Sequence, residues 1–407
     1  MASLTLPSSS SNTSVRVQLI DTTSYMTIKA ESFIKPVVPG HELINVTDVS
    51  FLITHPSGKQ ILFDLGVRKD FWNLPTTILK RLGDVIPSIR VDDGVPEILQ
   101  SKGINLSSIK AVIWSHYHWD HTGNMSLFPS STDLVTGPGV KAQQPSILPG
   151  YPQNPKSPLS QSDFDNRTHT EVDFSSSPTI GDLKAFDYFG DGSFYLLDTP
   201  GHCVGHICGL ARTTSNTFIF MGGDICHFAG DFRPSSSLPL PDPIPSGILD
   251  PARNLPSPCP CSLFTDHHPR TKDPSQARSS YWYEVTDHPR AAYIDVPLSR
   301  TSVSKMQKFD DDPNVLVMLA HDTTPLAVLP TFNQDPERDI NDWQKQGWKE
   351  RCHWGWLNEL PKEDRHGKRV AGRKAIVEGI WKGGKDWTEG FERYREERIQ
   401  NDEKGKL

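Results

Sequence analysis

Apolar runs separated by polar turns characterise the first part of the chain. From Val15 to Phe63 the runs are VRVQLID, MTIKA, VSFLITH and QILFDLG, all short and rich in β-branched or aromatic residues, which is typical of strands. The polar turn PSGK joins the last two runs. This pattern predicts a meander or the edge of a sheet.

A helix and a buried strand are predicted next. The helix is indicated by VPEILQSKGI, which has apolar residues at helical spacing and Pro96 near its start, where a helix tolerates proline. A continuous apolar run in SSIKAVIWSH then predicts a buried strand. That strand ends at a cluster of histidines.

The same alternation returns in the second half of the chain. A hairpin is predicted for DLKAFDYFGDGSFYLLDTPGH, and two further strands for GHICGLART and TFIFMGGD. A helix is predicted for PLSRTSVSKMQKFDDDPN, and a buried strand for VLVMLAHD. Two strand-rich halves of this kind predict an α/β fold in which two sheets pack face to face with helices outside.

Two regions depart from this pattern. Nine prolines lie between Pro234 and Pro260, too many for helix interiors or central strands, so we expect an inserted proline-rich loop over about 230–280. Residues 331–407 are charged and rich in Trp and Arg, and FERYREERIQ has Glu and Arg spaced as exposed helical pairs. The sequence therefore predicts a main domain over 15–330 and a C-terminal helical extension over 331–407 that packs on it or trails from it.

Charge and composition narrow the class of partner. Among 407 residues, 42 Lys and Arg stand against 49 Asp and Glu, and this net charge of -7 disfavours nucleic acid and fits a small-molecule substrate. No apolar stretch approaches the roughly 20 residues that span a bilayer, and the start MASLTLPSSSSNTSV has neither a basic nor an apolar leader. We expect a cytoplasmic protein without a membrane partner. The sequence leaves the oligomeric state open.

The chemistry is concentrated at residues 115–121, SHYHWDH. Side chains at i and i+2 of an extended segment point the same way, so His116 and His118 are expected to converge beyond the strand end. Asp120 and His121 follow where a helix begins, which turns their side chains toward a neighbouring point. Without a metal, these clustered groups would repel one another on protonation. The spacing therefore predicts two adjacent metal sites.

Later strand ends offer the remaining ligands. One site needs a third histidine, for which His202 in DTPGHCVGH is the candidate, and the other needs His321 at the end of VLVMLAH. Asp224 in MGGD is placed to bridge both sites. Histidine and carboxylate suit zinc, and also iron or manganese. We expect two zinc ions per chain, with iron or manganese as alternatives.

These residues resemble a family pattern. The motif HYHWDH matches the H-x-H-x-D-H signature of the metallo-β-lactamase superfamily, and the later GH, GGD and AHD elements resemble its remaining ligand positions in the same order. The resemblance covers about residues 15–330 and implies an αβ/βα four-layer sandwich. FDLG at 63–66 is similar to the family's D-x-G element, which implies that Asp64 supports the histidine loop without touching metal. The implied ligands are His116, His118 and His202 for one metal, Asp120, His121 and His321 for the other, and Asp224 between them.

Within that superfamily the pattern is most similar to the N-acyl homoserine lactonase-like group. His118 stands where the di-iron electron-transfer members carry glutamate, and true β-lactamases usually lack either the histidine at His121 or the aspartate at Asp224. The resemblance implies a metal-dependent hydrolase that opens a small lactone, lactam or related cyclic ester or carbamate. A thioesterase of the same fold and an iron-dependent persulfide dioxygenase are alternatives. The acidic charge disfavours a nuclease, and the complete ligand set disfavours a non-catalytic binding protein.

Two residues are expected to act on the substrate. Two ions would activate a bridging water, and Asp120 would orient that nucleophile and accept or relay its proton. The lactonase-like group carries a tyrosine three residues after the bridging aspartate, where this chain has His227. His227 either replaces that tyrosine as an acid or hydrogen-bond donor, or is a loop residue with a local partner.

The loop VRKDFWNLPTT and the proline-rich insert with the residues just before it are expected to form the substrate pocket. Their aromatic residues could instead pack the loops onto the sandwich. The candidate pocket residues are Phe71, Trp72, Phe228 and Phe232.

Overall fold

Two sheets form the centre of the protein, and the computed structural model describes residues 4–8 and 13–404. In spatial order, the strands of the first sheet are Ser88–Val91 (β5), Arg16–Lys29 (β1), Leu43–Thr54 (β3), Gln60–Phe63 (β4), Ile109–Ile113 (β6), Asp133–Thr136 (β7) and His169–Glu171 (β8). β1, β3 and β4 pair antiparallel as a meander, and β4, β6, β7 and β8 pair parallel.

The second sheet carries the later strands. In spatial order they are Val315–Met318 (β15), Phe218–Met221 (β13), Ile207–Arg212 (β12), Phe194–Asp198 (β11), Leu183–Asp187 (β10) and Thr179–Ile180 (β9). β13 and β15 are parallel, and the other neighbours are antiparallel. β11, β13 and β15 consequently run in the same direction.

The α-helices and three short two-stranded ladders lie outside the two main sheets. The helices are Thr76–Leu79 (α1), Val95–Ser101 (α2), Trp119–Thr122 (α3), Ser262–Thr265 (α4), Pro274–Ser279 (α5), Val296–Asp311 (α6), Thr324–Val328 (α7), Trp348–Trp354 (α8) and Thr388–Glu403 (α9). The ladders pair Ile34–Lys35 (β2) with Glu284–Val285 (β14), Lys362–Glu363 (β16) with Arg369–Val370 (β17), and Trp381–Lys382 (β18) with Lys385–Asp386 (β19). No helix in the described residues is long and apolar enough to cross a membrane.

One predicted pair of strands is a single strand. VRVQLID and MTIKA both belong to β1, whose register against β3 shifts between Asp21 and Tyr25. The polar residues between the two runs do not end the strand, because the irregularity absorbs them and Thr23 takes a positive φ of 54°.

Adjacent residues of the strands face different layers, which confirms the four-layer sandwich. Phe51 of the first sheet packs toward the second sheet in one buried cluster, whereas Leu52 joins Leu99 of α2 on the outer face. On the other side, Phe220 of the second sheet meets Phe309 of α6 with ring centroids 5.0 Å apart. The order is therefore helix, sheet, sheet, helix.

The proline-rich insert and the C-terminal segment pack on this sandwich. The insert is largely irregular and contains the short helices α4 and α5. In the C-terminal segment, the amide of Phe332 donates to the carbonyl of Leu19, and Trp343 is buried in the layer between the sheets. This segment includes short hairpins as well as helices, and its division from the main domain at residue 330 stays a prediction.

Candidate metal centre

The predicted ligands lie at one edge of the sandwich, where strands of both sheets end. The end of β6 leads into the histidine motif, and α3 begins within that motif. β11, β13 and β15 end at the same edge because they run in the same direction. The residues that follow these strands are His116, His118, Asp120 and His121 after β6, His202 after β11, Asp224 after β13, and His321 after β15.

The first group of side chains surrounds His202. Its Nε2 atom lies 3.2 Å from Nε2 of His116 and 2.8 Å from Nδ1 of His118. Oδ2 of Asp224 lies 3.4 Å from Nε2 of His202 and 3.5 Å from Nε2 of His116. The four candidate ligand atoms all lie within 4.8 Å of one another. The structure thus brings together the residues predicted for one metal.

The second group lies on the other side of Asp224. Oδ1 of Asp224 is 2.9 Å from Nε2 of His121 and 3.0 Å from Nε2 of His321. Oδ2 of Asp120 is 3.7 Å from Nε2 of His321. Asp224 therefore directs one carboxylate oxygen at each group, which is the arrangement of a bridging residue.

Asp64 supports the histidine motif from behind. Its Oδ2 is 3.0 Å from Nδ1 of His121, and its Oδ1 accepts a 2.6 Å hydrogen bond from the amide of Ser115. Asp64 adopts a positive φ of 61°, a conformation that L residues rarely take and that these contacts hold in place. The predicted role of Asp64 stays a prediction, but its geometry suits an outer partner of a metal-bound histidine.

Asp48 supports His321 in the same way, and the sequence analysis missed it. Its Oδ1 is 2.9 Å from Nδ1 of His321, which also lies 3.0 Å from the carbonyl oxygen of Thr47. Burial raises the pKa of Asp48 to about 6, although His321 opposes the shift. An aspartate that is the single charged residue of its strand, LINVTDVSFLIT, was the available signal.

His206 is a further supporting residue that sequence reasoning did not single out. Its Nε2 accepts a 3.0 Å hydrogen bond from the backbone amide of Asp224, and its Nδ1 lies 2.9 Å from the hydroxyl of Thr199. His206 belongs to the same GHCVGH segment as His202. It therefore fixes Asp224 relative to the loop that carries His202.

The buried charges divide the histidines into two electrostatic classes. Burial lowers the pKa of His118 to about 3, and burial together with neighbouring histidines lowers the pKa values of His116 and His202. Burial acts in the same direction on His121 and His321, but Asp224 outweighs it and raises both pKa values. The first group is thus held as neutral imidazoles, the form that coordinates metals.

The donor set fits a metal because several buried atoms are left without hydrogen bonds. Nε2 of His121 and Oδ1 of Asp224 are 2.9 Å apart, yet neither forms a hydrogen bond within the described residues. Buried nitrogen and oxygen atoms without hydrogen bonds are available as ligands for a bound metal. These histidine and aspartate groups can bind a metal centre, and their nitrogen and oxygen donors suit zinc, iron or manganese.

His227 lies beside this centre and is buried. Its Nε2 is 3.1 Å from Oδ2 of Asp224, and its ring stacks on that of His321 with centroids 5.2 Å apart. Its candidate ligand atom lies within 4.8 Å of those of Asp224 and His321. The geometry therefore permits His227 either to donate a hydrogen bond or to bind metal.

A cavity of about 330 Å³ opens onto the metal centre. His118, Asp120 and His227 line its inner end, and apolar side chains such as Ile28 and Ile147 line much of the rest. The wall combines β1 with segments near residues 77–86, which include part of α1, and 143–158. A small organic molecule can therefore approach the metal centre from one side.

The four aromatic residues predicted for the pocket are not among the residues that line this cavity. Phe71 is fully buried against Phe391, and Trp72 packs on Trp387. Phe228 packs on His41, Tyr283 and Trp356, and the ring of Phe232 lies under the guanidinium of Arg233. The rings attach their loops to α9, the insert and the C-terminal segment, so the pocket role of these four residues stays a prediction that this cavity does not support.

Comparison with known proteins supports the same assignment. The model of the metallo-beta-lactamase superfamily matches residues 48–279. The gamma-lactamase FDB1 of Fusarium pseudograminearum is 38% identical over 379 residues, which cover 91% of this chain and 88% of that protein. The metallo-hydrolase mfmC of Annulohypoxylon moriforme is 38% identical over 351 residues, which cover 85% of this chain and 87% of that protein.

A solved structure supports the fold. The AiiA lactonase mutant of B. thuringiensis with bound N-decanoyl-L-homoserine has a TM-score of 0.50 at 15% identity, and the match covers 79% of this chain and 98% of that chain. At this sequence identity the structural likeness shows the fold alone. The family model and the gamma-lactamase relative each match more than half of the chain by sequence, and they show the family. The chain belongs to the metallo-β-lactamase superfamily.

Proposed function

We propose that the protein is a metal-dependent hydrolase that opens a small lactone, lactam or related cyclic ester or carbamate. The observation that carries this proposal is the pair of histidine and aspartate groups that share Asp224 at the inner end of a largely apolar cavity. Relatives named gamma-lactamase and metallo-hydrolase support the reaction class.

Two divalent ions are proposed to bind at the two groups, with zinc as the first choice and iron or manganese as alternatives. His116, His118 and His202 would hold one ion, and the second group with Asp120 would hold the other. When bound, such ions supply Lewis acidity to the substrate carbonyl and lower the pKa of a water molecule toward about 7.

Side chains of the protein are proposed to transfer the proton and to donate a hydrogen bond to the substrate. Water adds to the acyl carbon, the ring C–O or C–N bond breaks, and the proton lost by water ends on the departing atom. Asp120 faces the cavity beside His321 and is proposed to orient the water and accept or relay that proton. His227 also lines the cavity and is proposed to donate a hydrogen bond to the substrate.

The cavity supports a compact substrate. Its volume of about 330 Å³ and its apolar wall favour a ring with an aromatic or short acyl substituent over a long polymer. A small-molecule substrate therefore fits the site. The absence of a nucleic-acid partner and the cytoplasmic location stay predictions from the sequence.

The test is a substrate panel on the purified full chain after zinc loading. Lactones, lactams, cyclic carbamates and thioesters are followed by acid release, and metal content is measured on the same sample. We expect about two ions per chain and ring opening in at least one cyclic class. The exposed variant His366→Ala serves as a control that retains activity.

Two results would contradict the proposal. Turnover of thioesters alone would identify a thioesterase of the same fold. One iron per chain together with oxygen consumption on a persulfide would identify a dioxygenase.

A further inference from the structure

Tyr293 lies directly behind His227. Its hydroxyl oxygen is 2.7 Å from Nδ1 of His227, and the two rings meet edge to face with centroids 5.3 Å apart. Tyr293 is buried, with 6% of its surface exposed. It does not line the cavity, whereas His227 does.

Backbone hydrogen bonds fix Tyr293 to the metal centre. The amide of Ile294 donates to the carbonyl of His202 over 3.0 Å, and the amide of Asp295 donates to that of Gly201 over 2.9 Å. The amide of Ala292 donates to the carbonyl of Ser32 over 2.9 Å. The Tyr293 hydroxyl is thus held in place relative to the loop that carries a candidate ligand.

The hydrogen bond donated by the Tyr293 hydroxyl determines which ring nitrogen of His227 carries the proton. Among the described residues, Nδ1 of His227 is the acceptor that the structure gives to this buried hydroxyl. If Nδ1 were itself protonated, the hydroxyl proton would be buried without an acceptor, which is costly. The neutral ring carries one proton, so a hydrogen bond accepted at Nδ1 places that proton on Nε2.

We infer that Tyr293 is a positioning residue that holds His227 as the Nε2–H tautomer, directed at Asp224 and the cavity. A protonated Nε2 has no lone pair for a metal, so His227 is excluded from coordination. Its Nε2–H lies 3.1 Å from Oδ2 of Asp224 and donates to the departing atom of the substrate when that atom enters the cavity. This inference rests on the proposed hydrolytic function. It separates the two roles that the distances alone permit for His227.

The kinetic test uses Tyr293→Phe with a matched control. Tyr283→Phe removes a similar buried bond, in which the hydroxyl of Tyr283 lies 3.0 Å from Nδ1 of His41, outside the cavity wall. We expect Tyr293→Phe to lower kcat about five- to ten-fold, the loss of one hydrogen bond, with KM and metal content unchanged. Tyr283→Phe should leave kcat unchanged.

A leaving-group series distinguishes positioning from a general structural effect. The loss in Tyr293→Phe and in His227→Gln should be largest for lactams and alkyl lactones and smallest for aryl esters, whose departing phenolate needs little help from a donor. An equal loss for all leaving groups would overturn the inference. Loss of one metal ion per chain in His227→Gln would also overturn it, because His227 would then be a ligand.

A measurement without substrate keeps this inference separate from the proposed function. In full-length protein labelled with ¹⁵N at histidine, the ring signals absent from His227→Gln belong to His227. We expect an unprotonated Nδ1 and a protonated Nε2, and the opposite tautomer would contradict the inference even if hydrolysis is observed. If this tautomer is found but no substrate in the panel is opened, the proposed function fails while the role of Tyr293 in setting the tautomer stands.

Discussion

Two buried clusters of charged side chains differ in how their polar atoms are satisfied. At the metal centre, Nε2 of His121 and Oδ1 of Asp224 approach within 2.9 Å without forming a hydrogen bond. In the second cluster, Arg233 donates from Nε and Nη2 to the two carboxylate oxygens of Asp310 over 3.0 and 2.6 Å. The first cluster leaves facing donor atoms without hydrogen bonds, whereas the Arg233–Asp310 pair is hydrogen-bonded through both carboxylate oxygens.

The second cluster joins the sandwich to the C-terminal segment. Burial raises the pKa of Asp310, but the Arg233 guanidinium outweighs it and holds that pKa well below its ordinary value. Lys349 donates from Nζ to the carbonyl oxygens of Asp310 and Val315, and His353 lies against the same carboxylate. His353 nevertheless has no hydrogen bond at either ring nitrogen within the described residues, so the metal centre is distinguished by the convergence of several histidine and aspartate donors at one place.

The largest effect is expected at the ligands of the metal centre. His118→Ala or Asp224→Asn should reduce turnover by more than the roughly 100-fold typical of outer partners, while circular dichroism shows a retained fold. Full activity in either variant would show that these residues do not hold the metals.

Breaking the buried Arg233–Asp310 pair should lower the stability of the fold rather than the metal content. Asp310→Ala leaves Arg233 buried without its partner, and we expect the free energy of unfolding in denaturant to fall by about 3–5 kcal/mol with metal content unchanged. The control Asp342→Ala, which removes a half-exposed pair with Arg338, should cost less than about 1 kcal/mol. A similar loss in both variants would contradict the special role of the buried pair.

Metal removal tests whether the metal centre needs a cation for stability. A chelator should lower the free energy of unfolding by about 2–4 kcal/mol, because the ions bind the native state alone. Thermal unfolding with and without zinc measures this difference. An unchanged melting temperature would mean that the metal centre, like the Arg233–Asp310 pair, needs no cation.

The smallest effect is expected for the aspartates that contact the ligand histidines, Asp48 and Asp64. Asp48→Asn removes a charge from the partner of His321, and we expect metal affinity to fall about 10- to 100-fold. Competition with a fluorescent chelator measures the affinity, and Asp64→Asn provides the equivalent change behind His121. Unaltered metal affinity in Asp48→Asn would show that the Asp48 carboxylate does not support metal binding.

The sequence by itself determined the strands, the layers and the convergence of the metal motif. Alternation of apolar residues is a local signal, so the strands around Phe51 and Phe220 and the helix α6 could be read directly. His116 and His118 converge because extended backbone repeats every two residues, which needs no knowledge of the rest of the fold.

Only the tertiary structure decided what surrounds that motif. The cavity wall combines Ile28, Ile147 and residues near 77–86, whose meeting depends on loop paths that no local pattern specifies. Asp48 and Tyr293 became visible as partners of His321 and His227 only when distant segments were placed side by side. The aromatic rings of Phe71 and Trp72 show the same limit, because hydrophobicity predicts that a ring is buried, but the neighbouring segments decide what it is buried against.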